Sequence, residues 1–324
     1  MSLSNKDDIQ VSVCVVTYNQ QKYIAECLES LVTQQTSFKF EIIVGEDCST
    51  DGTRAIVQQY VEQYPDLIVP LFYEENVGAV ENVKRVYKAA KGKYIAHMDG
   101  DDMALPGKLQ KQFDILESNL DCTVCGHDVN YIDADGKYIS SSSKNINKKI
   151  DRLEFIKDGI SFTHSSKMFV NNVSKDFWDE LLINKNMIDY EIHIEFLKNG
   201  KFTYINEILG QYRRFTGLSL DRGKISPILL AAPDRIYSRL LNEYCEVEEK
   251  RIVKSRYALE ILRLSFQVAL VEGDKAKFRS LVLKSVEINR FSLEQIIFLL
   301  GAIWPSLFIS ILKYRDKIKK SNRV

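Results

Sequence analysis

The amino-acid sequence predicts an α/β fold in which a mostly parallel sheet carries helices on both faces and a helical region follows. Residues 11–16 form an uninterrupted apolar, β-branched run, which is typical of a strand buried on both faces. Strand and helix patterns then alternate four times, as expected of a parallel sheet. After about Pro227 apolar residues recur at helical spacing, which predicts the helical region.

The predicted elements follow one another in a regular order. The predicted strands cover residues 11–16, 40–44, 67–72 and 94–98, and the predicted helices cover residues 21–34, 53–64 and 79–90. A chain of 324 residues is long for one compact domain. We therefore expect an α/β domain over residues 1–225 and a helical region over residues 226–324.

Three of the predicted strands run directly into polar segments. These segments are Thr17-Tyr18-Asn19, Glu46-Asp47 and Asp99-Gly100-Asp101-Asp102. Ligands of such sheets bind beyond the carboxyl ends of the strands, so a site is expected there. The first strand is followed by neither a G-x-G-x-x-G sequence nor a P-loop, so a bound metal is the natural holder of phosphate groups.

The acidic segment at residues 99–102 is the strongest local signal. Three carboxylates within four residues repel one another unless cations neutralise them. Mg²⁺ and Mn²⁺ prefer oxygen ligands, often carboxylates together with substrate phosphates, and Gly100 leaves room for a diphosphate. An acidic surface turn is the alternative. The position directly after a buried strand favours a site.

Three segments together resemble a known family. They are SVCVVTYN, EIIVGEDCSTDGT and NVGAVENVKRVYKAAKGKYIAHMDGDD, and their order, spacing and content are similar to those of the family 2 glycosyltransferases. The resemblance covers about residues 11–215. It implies that this part is a nucleotide-sugar-binding catalytic domain of the GT-A fold, a Rossmann-like, mostly parallel sheet with helices on both faces.

The resemblance also implies roles for single residues. The end of the first strand matches the segment that lines the nucleotide base, here Thr17, Tyr18 and Asn19. Asp47 matches the aspartate that binds uracil. In the Asp-X-Asp element, Asp101 is implied to bind the metal and Asp99 to lie near the ribose or the metal. The remaining residues of the implied nucleotide-sugar site are Asn82, Gly100 and, next to the sugar, Asp102.

Further along the chain the resemblance implies residues for the chemistry. Asp189 matches the acidic general base of the family, although Glu191 is an alternative and Asp189 is also a typical helix-capping residue. His164 falls where the family turns towards its acceptor, so we expect it to contact the acceptor or a phosphate unless it is a structural histidine. Arg213 and Arg214 resemble a stretch whose arginines approach the diphosphate; an ordinary charged loop is the alternative.

The implied activity is the inverting transfer of one sugar from a nucleotide-sugar, by resemblance a UDP-sugar, to a hydroxyl of a glycan or lipid-linked acceptor. The enzyme is expected to be a hexosyl- or N-acetylhexosaminyltransferase of polysaccharide biosynthesis that uses Mn²⁺ or Mg²⁺. A nucleotidyltransferase is one rival, but it would need a Gly-rich, Lys- or Arg-bearing loop after the first strand. A degenerate domain that only binds a glycan or a partner is the other, and loss of the metal aspartate or the base would favour it.

Charge and the last part of the sequence bear on location. The 44 basic and 44 acidic residues balance, which argues against a nucleic-acid partner. The first ten residues contain no apolar signal core, so a cytoplasmic location is predicted. Residues 295–312 carry no charge and a basic run follows, which predicts peripheral contact of segment 295–320 with the inner face of the cytoplasmic membrane. A buried helical hairpin is the alternative.

Overall fold

The computed structural model describes residues 8–172, 178–179, 188–214, 220–221, 224–289 and 293–321. The chain divides into two compact units. The sheet unit comprises residues 1–155 and 161–216, and the helical unit comprises residues 156–160 and 217–324. The domain boundary placed after residue 225 from sequence stays a prediction.

The sheet unit contains a nine-stranded mixed sheet. Its strands are β1 (Ile9–Thr17), β2 (Lys39–Glu46), β3 (Ile68–Phe72), β4 (Tyr94–Asp99), β5 (Met103–Ala104), β6 (Cys122–Ile132), β7 (Tyr138–Ser141), β8 (Met168–Val170) and β9 (Lys201–Arg213). Their order is β3-β2-β1-β4-β8-β6-β9-β5, and β7 pairs with β6. Because β3, β2, β1 and β4 are parallel, the carboxyl ends of β1, β2 and β4 lie side by side.

Helices connect these strands. They are α1 (Ile24–Val32), α2 (Thr53–Gln63), α3 (Ala79–Ala89), α4 (Lys108–Glu117), α5 (Arg152–Asp158) and α6 (Asp189–Phe196). In α1 the buried residues Ile24, Leu28 and Leu31 recur at three- and four-residue spacing. This spacing gives the helix one apolar stripe, which packs into the core of the sheet unit.

β1 lies at the centre of that core. Val11, Val13 and Val15 are at most 1% exposed and belong to one apolar cluster. Val13 pairs with Ile42 of β2 on one side and with Ala96 of β4 on the other. Since β1 is paired at both edges and packed on both faces, its carboxyl end is held in a fixed position.

The helical unit combines a short β-ribbon with helices. The ribbon pairs β10 (Leu220–Asp221) with β11 (Lys224–Ile225). The helices are α7 (Pro227–Glu243), α8 (Val247–Val271), α9 (Lys275–Ile288), α10 (Leu293–Ile303) and α11 (Pro305–Ser321). The predicted α/β fold and the helical region that follows it are both confirmed.

The uncharged run at residues 295–312 forms two helices. α10 and the first part of α11, Pro305–Tyr314, meet at a bend of 119°. Pro305 accounts for the break, because proline suits the first turn of a helix but not its interior. Within the described residues no single helix has the length and apolar composition to cross a membrane, whereas this bent pair meets both requirements when taken together.

Asn82, a predicted nucleotide contact, lies buried between α3 and β2. Its amide donates to the Gly45 carbonyl at 2.9 Å, and its side-chain oxygen accepts from the Tyr73 hydroxyl at 3.2 Å. A Cβ at Gly45 would lie 1.9 Å from Asn82 Oδ1, so only glycine permits this close approach. These contacts give Asn82 a role in the packing of α3 on β2, and its expected contact with the nucleotide stays a prediction.

We expect Asn82→Ala to lower the free energy of unfolding by about 1–3 kcal/mol, because it leaves the buried Gly45 carbonyl and Tyr73 hydroxyl without their partner. Urea unfolding measures the change. Asn147→Ala is the matched control, since Asn147 is exposed and accepts from the exposed Asn206 amide; its effect should stay within about 0.5 kcal/mol. Equal effects of the two substitutions would contradict the packing role.

Candidate active site

The carboxyl ends of β1, β2 and β4 meet through backbone hydrogen bonds. The N–H of Asp47 donates to the Thr17 carbonyl at 3.0 Å, and the N–H of Gly100 donates to the Val16 carbonyl at 2.9 Å. A Cβ at Gly100 would lie 2.4 Å from Gln20 Oε1 and 2.9 Å from the Thr17 side chain. Packing against the neighbouring strand end favours glycine here, and the expectation that Gly100 leaves room for a diphosphate stays a prediction.

The loop after β1 is bound to the loop after β2. Asn19 adopts a left-handed backbone conformation with φ of 53°, which asparagine tolerates well. Its side-chain oxygen accepts from the Thr50 N–H at 2.8 Å, and its own N–H donates to the Ser49 hydroxyl at 2.9 Å. Asn19 thus orders the two loops. Tyr18 is 44% exposed and presents a ring that is able to stack on a nucleotide base.

Asp47 joins the end of β2 to the turn before α3. Its two carboxylate oxygens accept from the N–H groups of Val77 at 2.7 Å and Gly78 at 3.0 Å. Burial raises the pKa of Asp47, and these two hydrogen bonds oppose the rise. Each oxygen has a second acceptor position, so the geometry is compatible with the predicted contact to a base N–H.

Ser165 holds two of the three acidic side chains. Its hydroxyl oxygen lies 2.5 Å from Asp102 Oδ2 and 3.1 Å from Asp99 Oδ2, and it accepts from the Asp99 N–H at 3.0 Å. Asp102 is 1% exposed and also accepts from the backbone N–H of Arg213 at 2.8 Å. Asp102 is therefore an internal support, and its expected place beside the sugar stays a prediction. Asp99 keeps 31% of its side chain exposed.

The Arg213 guanidinium is buried and hydrogen-bonded on several sides. Nε donates to the Asp101 carbonyl at 3.0 Å, and Nη1 donates to the carbonyls of Asp133 and Ala134 at 3.2 and 3.3 Å. Nη2 donates to Glu26 at 2.7 Å. Arg213 thus holds the backbone of the acidic segment, and its expected approach to the diphosphate stays a prediction.

Lys108 places a buried positive charge behind the acidic segment. Its Nζ donates to the Ser165 carbonyl at 2.6 Å. Burial lowers the pKa of Lys108 to about 8, and the Asp102 carboxylate opposes that change. Burial raises the pKa of Asp99 and strongly raises that of Asp102, where the Asp99 and Asp101 carboxylates add to the rise. Lys108, together with Lys167 at Asp99, offsets only part of the negative charge of the three carboxylates, so the segment favours a further cation.

The acidic segment fits a divalent cation that is shared with a diphosphate. Asp99 and Asp101 offer carboxylate oxygens, which are the ligands that Mg²⁺ and Mn²⁺ prefer. In the part of the chain that the structure describes, no three His, Cys, Asp or Glu side chains are grouped so that they could hold a metal ion alone. A cation here would take further oxygens from substrate or water, as is usual for Mg²⁺.

The two candidate bases differ in their surroundings. Glu191 is 2% exposed, and its Oε1 accepts from the Ile188 N–H at 3.2 Å in the first turn of α6. The Asp189 side chain is 59% exposed, and its Oδ1 lies 3.4 Å from Nδ1 of His164. Exposure therefore favours Asp189 as the carboxylate that an acceptor can reach.

A buried basic cluster that the sequence analysis missed lies beside Asp189. It consists of His97, His164, His193 and Lys167, each at most 7% exposed. The ring centroid of His164 lies 3.8 Å from that of His97 and 5.9 Å from that of His193. Nζ of Lys167 lies 2.9 Å from Nδ1 of His164. His164 therefore contacts the candidate base and the cluster, and its expected contact with the acceptor or a phosphate stays a prediction.

The charges in this cluster are coupled to Asp189. Burial lowers the pKa of each of the three histidines well below its usual value, so they are neutral at pH 7. Burial also lowers the pKa of Lys167 to about 7. One side of the Asp189 side chain is open to solvent, and protein surrounds the rest of it. The surrounding protein removes water from the carboxylate and raises its pKa to about 6, and the charge on Lys167 opposes that rise.

The structure thus brings most of the predicted residues to one edge of the sheet. These residues lie at the ends of β1, β2, β4 and β9. Asp189 lies close to them because it contacts His164. Arg214 follows β9 and is partly exposed, with its guanidinium carbon 3.8 Å from the ring centroid of Tyr131. Arg214 is therefore better placed than Arg213 to approach a ligand.

Comparisons of the sequence identify related proteins. The model of Glycosyl transferase family 2 matches residues 12–176, about half of the chain. An uncharacterized protein of Mycobacterium tuberculosis (strain H37Rv) is 31% identical over 210 residues, which are 63% of this chain and 58% of that protein. The chain thus matches less than two thirds of the length of that relative.

Solved structures share the fold. The crystal structure of Staphylococcus aureus TarS 1–349 with UDP-GlcNAc has a TM-score of 0.61 and 16% identity, covering 95% of this chain and 92% of that one. The mannosyltransferase PcManGT of Pyrobaculum calidifontis with GDP-Man and Mn²⁺ has a TM-score of 0.55 and 13% identity, covering 96% and 85%. At these identities the likeness establishes the fold alone.

We expect Arg213→Lys to destabilise the protein by about 2–4 kcal/mol, because a lysine cannot reproduce the contacts of the buried guanidinium and leaves three carbonyls without a donor. Denaturant unfolding measures the loss. Arg214→Lys is the matched control in the next position, and its partly exposed ring contact should contribute at most about 1 kcal/mol. The assigned role of Arg213 would be wrong if both variants unfolded at the same urea concentration.

Proposed function

Since this chain belongs to glycosyltransferase family 2, we propose that it transfers one sugar, with inversion, from a nucleotide-sugar to a hydroxyl of a glycan or lipid-linked acceptor. One observation carries the proposal. The turn His164–Ser166 contacts both parts of the site, because Ser165 holds Asp99 and Asp102 while His164 contacts Asp189. The candidate metal ligands and the candidate base are thus supported by adjacent residues.

The strand ends and the solved neighbours support a nucleotide-sugar donor. The TarS structure contains UDP-GlcNAc, and the Pyrobaculum calidifontis structure contains GDP-Man. In this chain, Tyr18 offers an exposed ring and Asp47 offers a carboxylate. A carboxylate that accepts from a ring N–H selects bases with such a donor, which uracil and guanine have. We propose a UDP-sugar as the donor, of a hexose or an N-acetylhexosamine.

Asp101 and Asp99 are the proposed ligands of a divalent cation, Mn²⁺ or Mg²⁺. The bound ion would stabilise the negative charge of the leaving nucleoside diphosphate. The protein's own residues keep these ligands in place. Ser165 and His97 contact the Asp99 carboxylate, and Arg213 holds the Asp101 backbone.

Asp189 is the proposed general base. A sugar hydroxyl is a poor nucleophile, so a carboxylate within hydrogen-bond reach must take its proton as the new C–O bond forms. A pKa of about 6 leaves Asp189 ionised at pH 7 while keeping it a better base than an ordinary aspartate. Attack from the side of the base, opposite the leaving diphosphate, displaces it in one step and inverts the anomeric carbon.

The two rival hypotheses have less support. A non-catalytic binding module would not need a base with a raised pKa next to a crowded set of carboxylates. A nucleotidyltransferase would need a Gly-rich, Lys- or Arg-bearing loop after β1, whereas residues 18–23 contain no glycine. We propose a cytoplasmic location for the transferase, with polysaccharide biosynthesis as its setting.

The test is release of UDP from a panel of UDP-sugars in the presence of Mn²⁺. We expect release with one or two donors, and we expect Asp101→Asn and Asp189→Asn each to lower kcat by about 100-fold or more, because each removes a charge that the transition state needs. Glu207→Gln is the matched control, since Glu207 is an exposed carboxylate paired with Lys111.

Binding separates the two roles. Calorimetry should show that Asp189→Asn still binds UDP with Mn²⁺, whereas Asp101→Asn binds it more weakly. If no UDP-sugar is consumed and UDP does not bind, the donor assignment is wrong, and GDP-sugars are then tested in the same assay. Full activity of Asp189→Asn would remove Asp189 from the mechanism.

The rate should also depend on pH in a defined way. We expect kcat/KM to rise as the pH passes about 6, where Asp189 becomes ionised. Lys167→Met should move this rise to higher pH, because the positive charge on Lys167 holds the pKa of Asp189 down. Lys111→Met, which removes an exposed lysine, is the control and should keep the wild-type profile. Three superimposable profiles would contradict the coupling.

A further inference from the structure

The outer side of α10 and α11 exposes much apolar surface. Six large side chains there are between 47% and 66% exposed: Ile297, Leu300, Ile303, Trp304, Leu307 and Ile311. Within each helix they recur at three- or four-residue spacing, and Trp304 lies at the break, so each helix carries an exposed apolar stripe; the two stripes together are called the apolar face. Contiguous exposed apolar surface of this kind usually marks an interaction site.

The opposite side of the same two helices is apolar as well, and it is buried. Ala302, Ile309 and Leu312 are at most 7% exposed and cluster with Phe278 and Val282 of α9. A helix at the surface of a folded unit normally turns polar residues outward, and a helix that is apolar all round is normally buried. The fold of the helical unit therefore explains the inner side and leaves the apolar face unexplained.

The polar groups near the apolar face are few and satisfied. No charged residue lies between Glu294 and Lys313 in the sequence. The hydroxyl of Ser310 donates to the Ser306 carbonyl at 2.9 Å within the helix. A protein interface usually combines an apolar centre with a polar rim and direct hydrogen bonds. Apart from Ser306 and Ser310, the exposed side chains of residues 296–311 are apolar, which favours a lipid environment.

The sequence next to the apolar face has the charge that a membrane attracts. Residues 313–323 contain six Lys or Arg residues and one Asp, in a chain whose formal net charge is zero. Lys313 is exposed directly after the stripe. Basic residues beside an apolar helix face are attracted by anionic lipid headgroups, and tryptophan prefers the boundary between headgroups and acyl chains.

We propose that α10 and α11 bind the surface of an anionic lipid bilayer, with the apolar face in the interface and the basic segment at the headgroups. At 1.5 Å per residue the helices are about 16 and 26 Å long, so neither alone spans a hydrocarbon core of about 30 Å. The 119° bend between them suits a pair that lies in the interface. This inference is independent of the proposed chemistry.

Vesicle flotation of the full chain tests the proposal. We expect binding to vesicles of phosphatidylcholine mixed with phosphatidylglycerol, weaker binding to phosphatidylcholine alone, and release at high salt, because screening removes the headgroup attraction. Trp304 provides a second signal. In a Trp178→Phe variant it is the sole tryptophan, and its emission should shift to shorter wavelength with vesicles and be quenched by brominated lipid.

Leu307→Glu should reduce vesicle binding at least about tenfold, because a carboxylate would enter the apolar region of an anionic surface. Leu120→Glu is the matched control, since Leu120 is 73% exposed in the sheet unit, and it should bind as wild type does. Both variants should keep the wild-type circular dichroism spectrum and urea midpoint in vesicle-free solution, which shows that they are folded.

Two outcomes would overturn the proposal. One is that wild type floats with neither kind of vesicle. The other is that light scattering shows a dimer in solution that Leu307→Glu dissociates, in which case a second copy of the chain covers the apolar face. Neither outcome bears on sugar transfer, and failure of sugar transfer would leave the flotation result unchanged.

Discussion

The three carboxylates of Asp99, Asp101 and Asp102 at the end of a buried strand are the electrostatic constraint on which the site depends. Carboxylates this close raise one another's pKa and resist ionisation unless the surrounding protein stabilises them. The chain supplies one hydroxyl from Ser165 and one ammonium from Lys108. A helix and a turn that lie far apart in sequence are thereby drawn to the end of β4, so the charge of the segment helps to organise the sheet unit around it.

The histidine cluster meets a similar electrostatic constraint beside Asp189, the candidate base. A carboxylate there needs polar neighbours, yet another anion would repel it and several buried cations would repel each other. Neutral imidazoles such as that of His164 provide polar contact without charge, so a single lysine, Lys167, sets the electrostatic balance. Because Ser165 follows His164 directly, a shift of this turn would affect both the acidic segment and Asp189.

The sequence predicted the strand ends well because their signals are local. A buried β-branched run followed by polar residues specifies both a strand and its end, and parallel order then brings Thr17, Asp47 and Asp99 together. Ser165 and Lys167 carried no such signal, since their roles arise from contacts with residues distant in the chain. The contacts of Arg213 with the backbone of the acidic segment were not predictable, because a polar residue near a site can bind the protein's own backbone as well as a ligand.

The helical region shows a different limit of sequence reasoning. The charge-free run at residues 295–312 is compatible with one membrane span, an interfacial helix or a buried hairpin, because composition alone does not say which residues share a face. Pro305 divides the run, and the bend then turns Ile309 and Leu312 inward while Leu300 and Leu307 stay outside. Packing of the helical unit accounts for the first pair. The second pair lies outside the apolar cluster of the helical unit, and the proposed lipid surface would account for its apolar character.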